Sequence, residues 1–239
     1  MIRCVVFDLD GTLVDIGDLF YRVFNAFLAR QGLPPVAFER TGDPWVSAYE
    51  QTARLHPHVR SLVRGDGFAD AWADVLKVML QSREVRVYDG ALETLNRLRA
   101  DGKRLCLASN TPKRFVDIKL SAGALPEAFD LVFTPQDKWG AKPSPASLRH
   151  AMNVFGLSSH EVLVVGDRPE DVRYGKNANA HTAAALYGYG APEELKAAQP
   201  EFLIESLGEV VSIVTGFETG QNTQPGQTVS VGGRVGRDA

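Results

Sequence analysis

Ile2-Arg3-Cys4-Val5-Val6-Phe7, followed at once by Asp8-Leu9-Asp10-Gly11-Thr12, is a short β-branched apolar run stopped by acidic residues and a glycine. Such a run fits a parallel strand buried on both faces, which has no need to alternate apolar with polar residues. Four further runs read alike, at 104–108, 131–133, 162–165 and 181–186. Helical patterns lie between them. Ala91, Leu92, Leu95 and Leu98 keep helical spacing up to Asp101-Gly102, and 144–155 is closed by Gly156, both of which suit helix C-termini. A third pattern covers 115–120. Strands and helices in alternation predict an α/β fold, a doubly wound parallel sheet of Rossmann-like type.

The alternation breaks between about 17 and 86. Leu19, Phe20, Val23, Phe24, Phe27 and Leu28 form an apolar stripe at helical spacing, and 68–80 offers a second. Gly42-Asp43-Pro44 and Gly65-Asp66-Gly67 punctuate the interval. An excursion of this length is too long for a loop and predicts a small all-helical domain inserted after the first strand. The expected division is thus a core of 1–16 and 87–215 with an insertion of 17–86. Residues 216–239, rich in Gly, Gln, Thr and Ser, read as a flexible tail.

Composition narrows the partners. A net charge of −3 over 239 residues gives no electrostatic case for nucleic acid or an anionic membrane. No segment approaches the roughly 18 consecutive apolar residues of a membrane span. The first strand runs directly into acidic residues, so no signal peptide is expected and the cytoplasm is the default location. Five histidines and two cysteines form no evident zinc site. Cys4 and Cys106, each inside a strand-like run, are expected to be small buried hydrophobes.

Four clusters carry chemistry. Asp8 and Asp10 alternate on an extended chain and so leave the sheet on the same side, where two carboxylates need a cation or a shared proton. Leu107-Ala108-Ser109-Asn110-Thr111-Pro112 passes from a strand into a helix, a position suited to phosphate. Gly140-Ala141-Lys142-Pro143 places a lysine after the third strand, and Gly166-Asp167-Arg168-Pro169-Glu170-Asp171 spaces two aspartates about a helix start. Singly, each has an ordinary reading: a solvated turn, an N-cap at Ser109 or Thr111, a surface lysine, a capping aspartate.

Together they read differently. Ligands of open parallel sheets sit beyond the carboxyl ends of the strands, near the point where strand order reverses. All four clusters follow strands, so one sheet gathers them at one rim. Oxygen ligands without His or Cys favour a hard cation, Mg2+ first among them. A metal, a lysine and N–H donors make an anion site, in which an aspartate facing a phosphoryl group is a nucleophile.

These residues resemble the four signature motifs of the haloacid dehalogenase-like hydrolases, in order, over about residues 1–215. The long insertion after the first motif resembles the helical cap of phosphoglycolate phosphatase-like members, as do Tyr88-Asp89-Gly90 and the stretches 175–178 and 186–190. The resemblance implies a phosphatase in which Asp8 attacks phosphorus to give an aspartyl-phosphate. Asp10 then protonates the leaving alcohol and later activates water. Asp8, the Asp10 backbone carbonyl, Asp167 and Asp171 hold Mg2+. Ser109, Asn110 and Lys142 hold the phosphoryl group, Leu9 joins them as a substrate contact, and Thr12 supports the loop. Arg168 departs from the pattern, since many relatives carry a small polar residue there; it faces either solvent or the leaving group.

A dehalogenase of the same superfamily usually lacks the second aspartate, so Asp10 argues against it. A phosphosugar mutase shares these motifs but tends to carry Glu-Asp where this chain has Gly166-Asp167. Pyrophosphate hydrolysis and a non-catalytic binding role also stay open. The expected partner is a small phosphorylated metabolite, acted on by a monomer or homodimer. Arg40, Trp45, Arg54 and His56 of the insertion are candidates for specificity, and an exposed or merely packed side chain is the ordinary reading of each.

Overall fold

The structure, a computed structural model, describes residues 1–37, 85–123, 125 and 127–220. Its centre is a six-stranded sheet of β1 (Cys4–Phe7), β4 (Arg104–Ala108), β5 (Leu131–Phe133), β6 (Val162–Gly166), β7 (His181–Ala185) and β8 (Phe202–Ile204). The order is β5-β4-β1-β6-β7-β8, and every neighbouring pair is parallel. Cys4 sits opposite both Arg104 and Val162, so β1 is flanked by strands that come much later in sequence. Strand order reverses at β1, which is where ligands of such sheets bind.

The side chains of β1 show how the two faces are filled. Val5 and Phe7 join one apolar cluster and Cys4 and Val6 another, as the period-two alternation of a strand requires. The first cluster takes Leu95 and Leu98 of α2 (Ala91–Ala100), Phe115, Val116 and Leu120 of α3 (Lys113–Ala122), and Val210, Ile213 and Val214 of α7 (Gly208–Thr219). The second takes Leu148, Ala151 and Met152 of α4 (Ala146–Phe155) and Tyr174 of α5 (Pro169–Asn177). Helices on both faces make the sheet doubly wound, as the sequence predicts. Cys4 and Cys106 are free and buried, their Sγ atoms 3.9 Å apart.

Strands β2 (Val14–Asp15) and β3 (Arg86–Val87), at the two ends of the expected insertion, pair antiparallel with Val14 opposite Val87. Helix α1 (Gly17–Arg30) follows β2 and buries the expected stripe of Leu19, Phe20, Val23, Phe24, Phe27 and Leu28. The second expected helix of the insertion, at 68–80, lies outside the described residues, as do Arg40, Trp45, Arg54 and His56.

Near the C-terminus the structure departs from the sequence reading. Strand β8 and helix α6 (Pro192–Ala197) have no counterpart in it. A flexible tail is expected from Gly216, but its first four residues, 216–219, are helical, for α7 continues to Thr219. Phe217 packs on His181 and Phe202, and Glu218 pairs with the buried Lys103, so distant partners hold a turn whose composition suggests a coil. Residues 221–239 lie outside the described set. Among the described residues, no helix is long and apolar enough to cross a membrane.

Candidate active site

The loop after β1 is shaped by its backbone. Asp8 N–H donates to the Val165 carbonyl at 2.9 Å, which carries parallel pairing with β6 one residue past the strand. The Leu9 carbonyl then accepts the N–H groups of Thr12, Leu13 and Val14, a turn that needs Gly11 at a φ of 88°. At that φ most side chains are strained, and a Cβ on Gly11 would also run into the Asp167 carboxylate. The turn thus sends Asp8 and Asp10 off the sheet and brings its backbone against the end of β6. Leu9 itself is fully buried in the core. Its side chain is therefore a packing group, and a substrate contact there is open only to its backbone.

The rim gathers the other clusters. Asp8, Asp167 and Asp171 each offer a carboxylate oxygen, and these oxygens lie within 4.8 Å of one another. All three residues are buried. Lys142 donates to Asp8 Oδ1 and, at 2.6 Å, to Asp171 Oδ1. Its side chain is only 7% exposed, so the surface-lysine reading does not hold. Lys142 is joined to Pro143 by a cis peptide bond.

Each carboxylate is oriented by further contacts. Thr12 Oγ1 donates to Asp167 Oδ1 at 3.1 Å and the Tyr189 N–H to Oδ2 at 2.8 Å. Arg168 Nε lies 3.8 Å from Asp167 Oδ2, so the Arg168 head group is turned towards this carboxylate. Asp171 Oδ2 accepts the Arg168 N–H, closing the first turn of α5, while its Oδ1 faces Lys142. One aspartate thus caps a helix and serves the site at once. Gly188 allows the β7 loop to lie against Asp167, since a Cβ there would collide with the Asp167 side chain and the Gly11 carbonyl.

Three buried carboxylates against the Lys142 ammonium and the partly exposed Arg168 guanidinium still leave an excess of negative charge. Burial, then the Asp171 charge, pushes the Asp167 pKa up to about 7. Burial also pushes Asp8 well above the usual carboxylate range, with Asp171 and Asp167 adding to the effect and Lys142 opposing it. Burial works against the Lys142 ammonium, but Asp171 and Asp8 outweigh it and hold its pKa above the ordinary lysine value. The donor set is all oxygen and is short of positive charge. It therefore fits a hard divalent cation.

The cluster after β4 is arranged by backbone bonds. Helix α3 begins at Lys113 with Pro112 at its cap and no side-chain cap bond, so neither Ser109 nor Thr111 is the N-cap. Ser109 is buried, its N–H donates to the Phe133 carbonyl, and its Oγ accepts the Thr111 N–H at 3.1 Å. Asn110 Oδ1 accepts the Lys142 N–H at 2.8 Å and its Nδ2 donates to the Lys142 carbonyl at 3.1 Å. The Asn110 side chain is thereby tied to the backbone that carries Lys142.

Asp10 has separate company. Lys119 Nζ and Thr111 Oγ1 both donate to Asp10 Oδ2, each at 2.6 Å. The Lys119 side chain is 2% exposed. The sequence reading misses Lys119, although a signal is present: it stands on the buried stripe of α3 with Phe115, Val116 and Leu120, where a lysine is anomalous. It misses Tyr189 as well. The Tyr189 hydroxyl donates to Asp15 Oδ1 and accepts the Ile16 N–H, while its own N–H holds Asp167.

Comparison with known proteins gives the family. The family model described as haloacid dehalogenase-like hydrolase matches residues 2–179. Phosphoglycolate phosphatase 1 of Pseudomonas aeruginosa is 30% identical over 216 residues, covering 87% of this chain and 78% of that protein. Pyrophosphatase PpaX of Halalkalibacterium halodurans is 28% identical, covering 89% and 97%. In fold, the chain is similar to a solved structure of a predicted phosphoglycolate phosphatase from Haemophilus somnus, with a TM-score of 0.72 and 22% identity over 89% of this chain and 98% of that one.

Proposed function

The chain belongs to the haloacid dehalogenase-like hydrolase family, and from that premise we propose a magnesium-dependent phosphatase that cleaves a small phosphomonoester through an aspartyl-phosphate on Asp8. The observation that carries the reading is the contrast around two neighbouring aspartates. Asp8 lies among Asp167, Asp171 and Lys142, whereas Asp10 is held apart by Lys119 and Thr111. A nucleophile and a proton carrier need such unlike surroundings.

In this mechanism Asp8, Asp167, Asp171 and the Asp10 carbonyl would hold Mg2+, which would supply positive charge to the carboxylates and to the phosphoryl oxygens. Lys142 bridges Asp8 and Asp171, lowers the repulsion between them and offers its charge to the incoming phosphate. The Ser109 hydroxyl and the backbone of the Asp8 loop, including Leu9, receive the phosphoryl oxygens. Asn110 sets the Lys142 backbone. Asp8 attacks phosphorus as the ester P–O bond breaks and the leaving oxygen takes a proton from Asp10. Asp10 then removes a proton from the water that cleaves the aspartyl-phosphate.

The insertion of 17–86 is proposed to be a cap that covers this rim and sets specificity. Phosphoglycolate, pyrophosphate and sugar phosphates are the substrates to try first, given the relatives. A soluble metabolite of this class suits a cytoplasmic enzyme acting as a monomer or homodimer.

The test is phosphate release from p-nitrophenyl phosphate and from a panel of phosphometabolites, with Mg2+ and with EDTA. Turnover that needs Mg2+ and vanishes in Asp8→Asn supports the mechanism. Turnover that survives either change refutes it.

A further inference from the structure

Resting on this reading, we infer that Lys119 is a positioning residue for the proton-transfer step, fixing Asp10 through one oxygen so that only the other exchanges protons with the substrate. Lys119 Nζ and Thr111 Oγ1 converge on Asp10 Oδ2 at 2.6 Å each. Asp10 Oδ1 is buried and has no hydrogen-bond partner among the described residues. A buried carboxylate oxygen without a donor is costly unless something meets it in the working state. Oδ2 already accepts two donors, one of them cationic, so a transferred proton resides on Oδ1. This is the oxygen that gives its proton to the leaving group as the ester P–O bond breaks, and that receives one from water as the aspartyl-phosphate is hydrolysed.

The supports of that carboxylate come from one stretch of chain, α3 and the loop that leads into it. Thr111 precedes α3 and Lys119 lies on its buried face beside Val116 and Leu120. The same helix contributes Phe115, Val116 and Leu120 to the apolar cluster that also holds Leu9 and Leu13, the neighbours of Asp10 in the loop. The ammonium is therefore placed by packing, not by a mobile surface chain. Two donors at one oxygen also stop the carboxylate from rotating, which would exchange Oδ1 with Oδ2. Proton transfer tolerates little misplacement, so a carboxylate free to rotate loses rate even when its charge is intact.

The test uses leaving groups. p-Nitrophenol departs readily without a proton, whereas phenol is a far weaker acid and depends on one. The value of kcat/KM reports the step that forms the aspartyl-phosphate and expels the leaving group. Lys119→Met is expected to lower kcat/KM for phenyl phosphate by about 100-fold, the lower range of general acid–base catalysis, and for p-nitrophenyl phosphate by no more than about 10-fold. Thr111→Val should show the same selectivity more weakly, with Thr111→Ser moving the ratio back towards wild type; this series serves if Lys119→Met fails to fold. Equal losses on the two esters, in either variant, would make Lys119 and Thr111 merely structural and overturn the inference. The underlying reading fails in a different way: wild-type protein that releases phosphate in Mg2+ from neither ester and from none of the phosphometabolite panel overturns both.

Discussion

Asp8 and Asp10 stand two residues apart in one loop, yet they occupy opposite electrostatic settings. Asp8 shares a single lysine with Asp171 and faces Asp167, so negative charge is in excess. Asp10 has a buried lysine and a hydroxyl to itself. The first setting is short of positive charge, whereas in the second the carboxylate charge is matched by one lysine. What separates them is chain topology. Asp8 still pairs with Val165 of β6, the strand whose end leads into Asp167 and Asp171. Asp10, one residue before the turn at Gly11, is reached by α3, the helix that follows β4. A two-residue step in sequence thus crosses from one side of the reversal point to the other.

The largest expected effects come from exchanging each aspartate for asparagine. Asp8→Asn should reduce phosphate release by about four orders of magnitude or more, because the proposed nucleophile is gone. Asp10→Asn should reduce it by about 100-fold to 10,000-fold, the range for a lost acid–base group. Stability should move in opposite directions. Asp8→Asn in metal-free protein at neutral pH removes one carboxylate from a crowded set and should raise the melting temperature. Asp10→Asn leaves Lys119 buried without its counter-ion and should cost about 3 kcal/mol. Thermal melts in EDTA check both signs, and a common sign in the two variants would break the contrast.

Next in size is the response to pH. The folded-state pKa of Asp167 is raised from 3.8 to about 7, and that of Asp8 is raised as well. Between the unfolded and folded values the native protein therefore binds more protons than the unfolded chain, and stability falls as pH rises through that window. Metal-free protein should accordingly lose stability from about pH 4 to pH 7. On the proposed reading Mg2+ binds the ionised carboxylates, so its stabilising effect should grow over the same interval. Melting curves at pH 5 and pH 7.5, with Mg2+ and with EDTA, measure this difference. Asp167→Asn should flatten the metal-free slope, and a slope of the opposite sign would show that the site does not carry the charge excess described.

The two settings are unequally legible in sequence. Strand-end carboxylates show themselves locally, because Asp8 and Asp167 each terminate an apolar run, and Asp171 follows Asp167 at helical spacing. The fold that joins them is legible for the same reason: β1, β4, β5 and β6 are nearly uninterrupted apolar segments, and α4 ends at a glycine with a φ of 62°. The Asp10 setting depends instead on a lysine 109 positions away, brought in by packing. Lys119 reads as an ordinary charge until the helix shows which face it occupies. The end of α7 escapes the sequence on similar grounds, since Phe217 and Glu218 find their partners on β7, β8 and near β4, none of which is close in sequence.

The smallest effect expected belongs to Asn110, which serves the Asp8 side of the comparison at one remove. Its amide makes two hydrogen bonds to the Lys142 backbone, one donated and one accepted. Asn110→Ala deletes both while leaving every carboxylate and the lysine in place. Each neutral hydrogen bond contributes about 1 kcal/mol. Because the pair lies on the exposed rim, the loss in stability should be at most about that for one bond. The consequence for rate should come through Lys142, whose ammonium bridges Asp8 and Asp171 only if its backbone stays where it is. A fall of about 10-fold in kcat/KM is expected, equal for phenyl and p-nitrophenyl phosphate, since nothing on the Asp10 side changes. That equality is what distinguishes this variant from Lys119→Met. If Asn110→Ala also discriminated between the leaving groups, the two settings would be coupled through the loop after β4, and treating them as separate would be wrong.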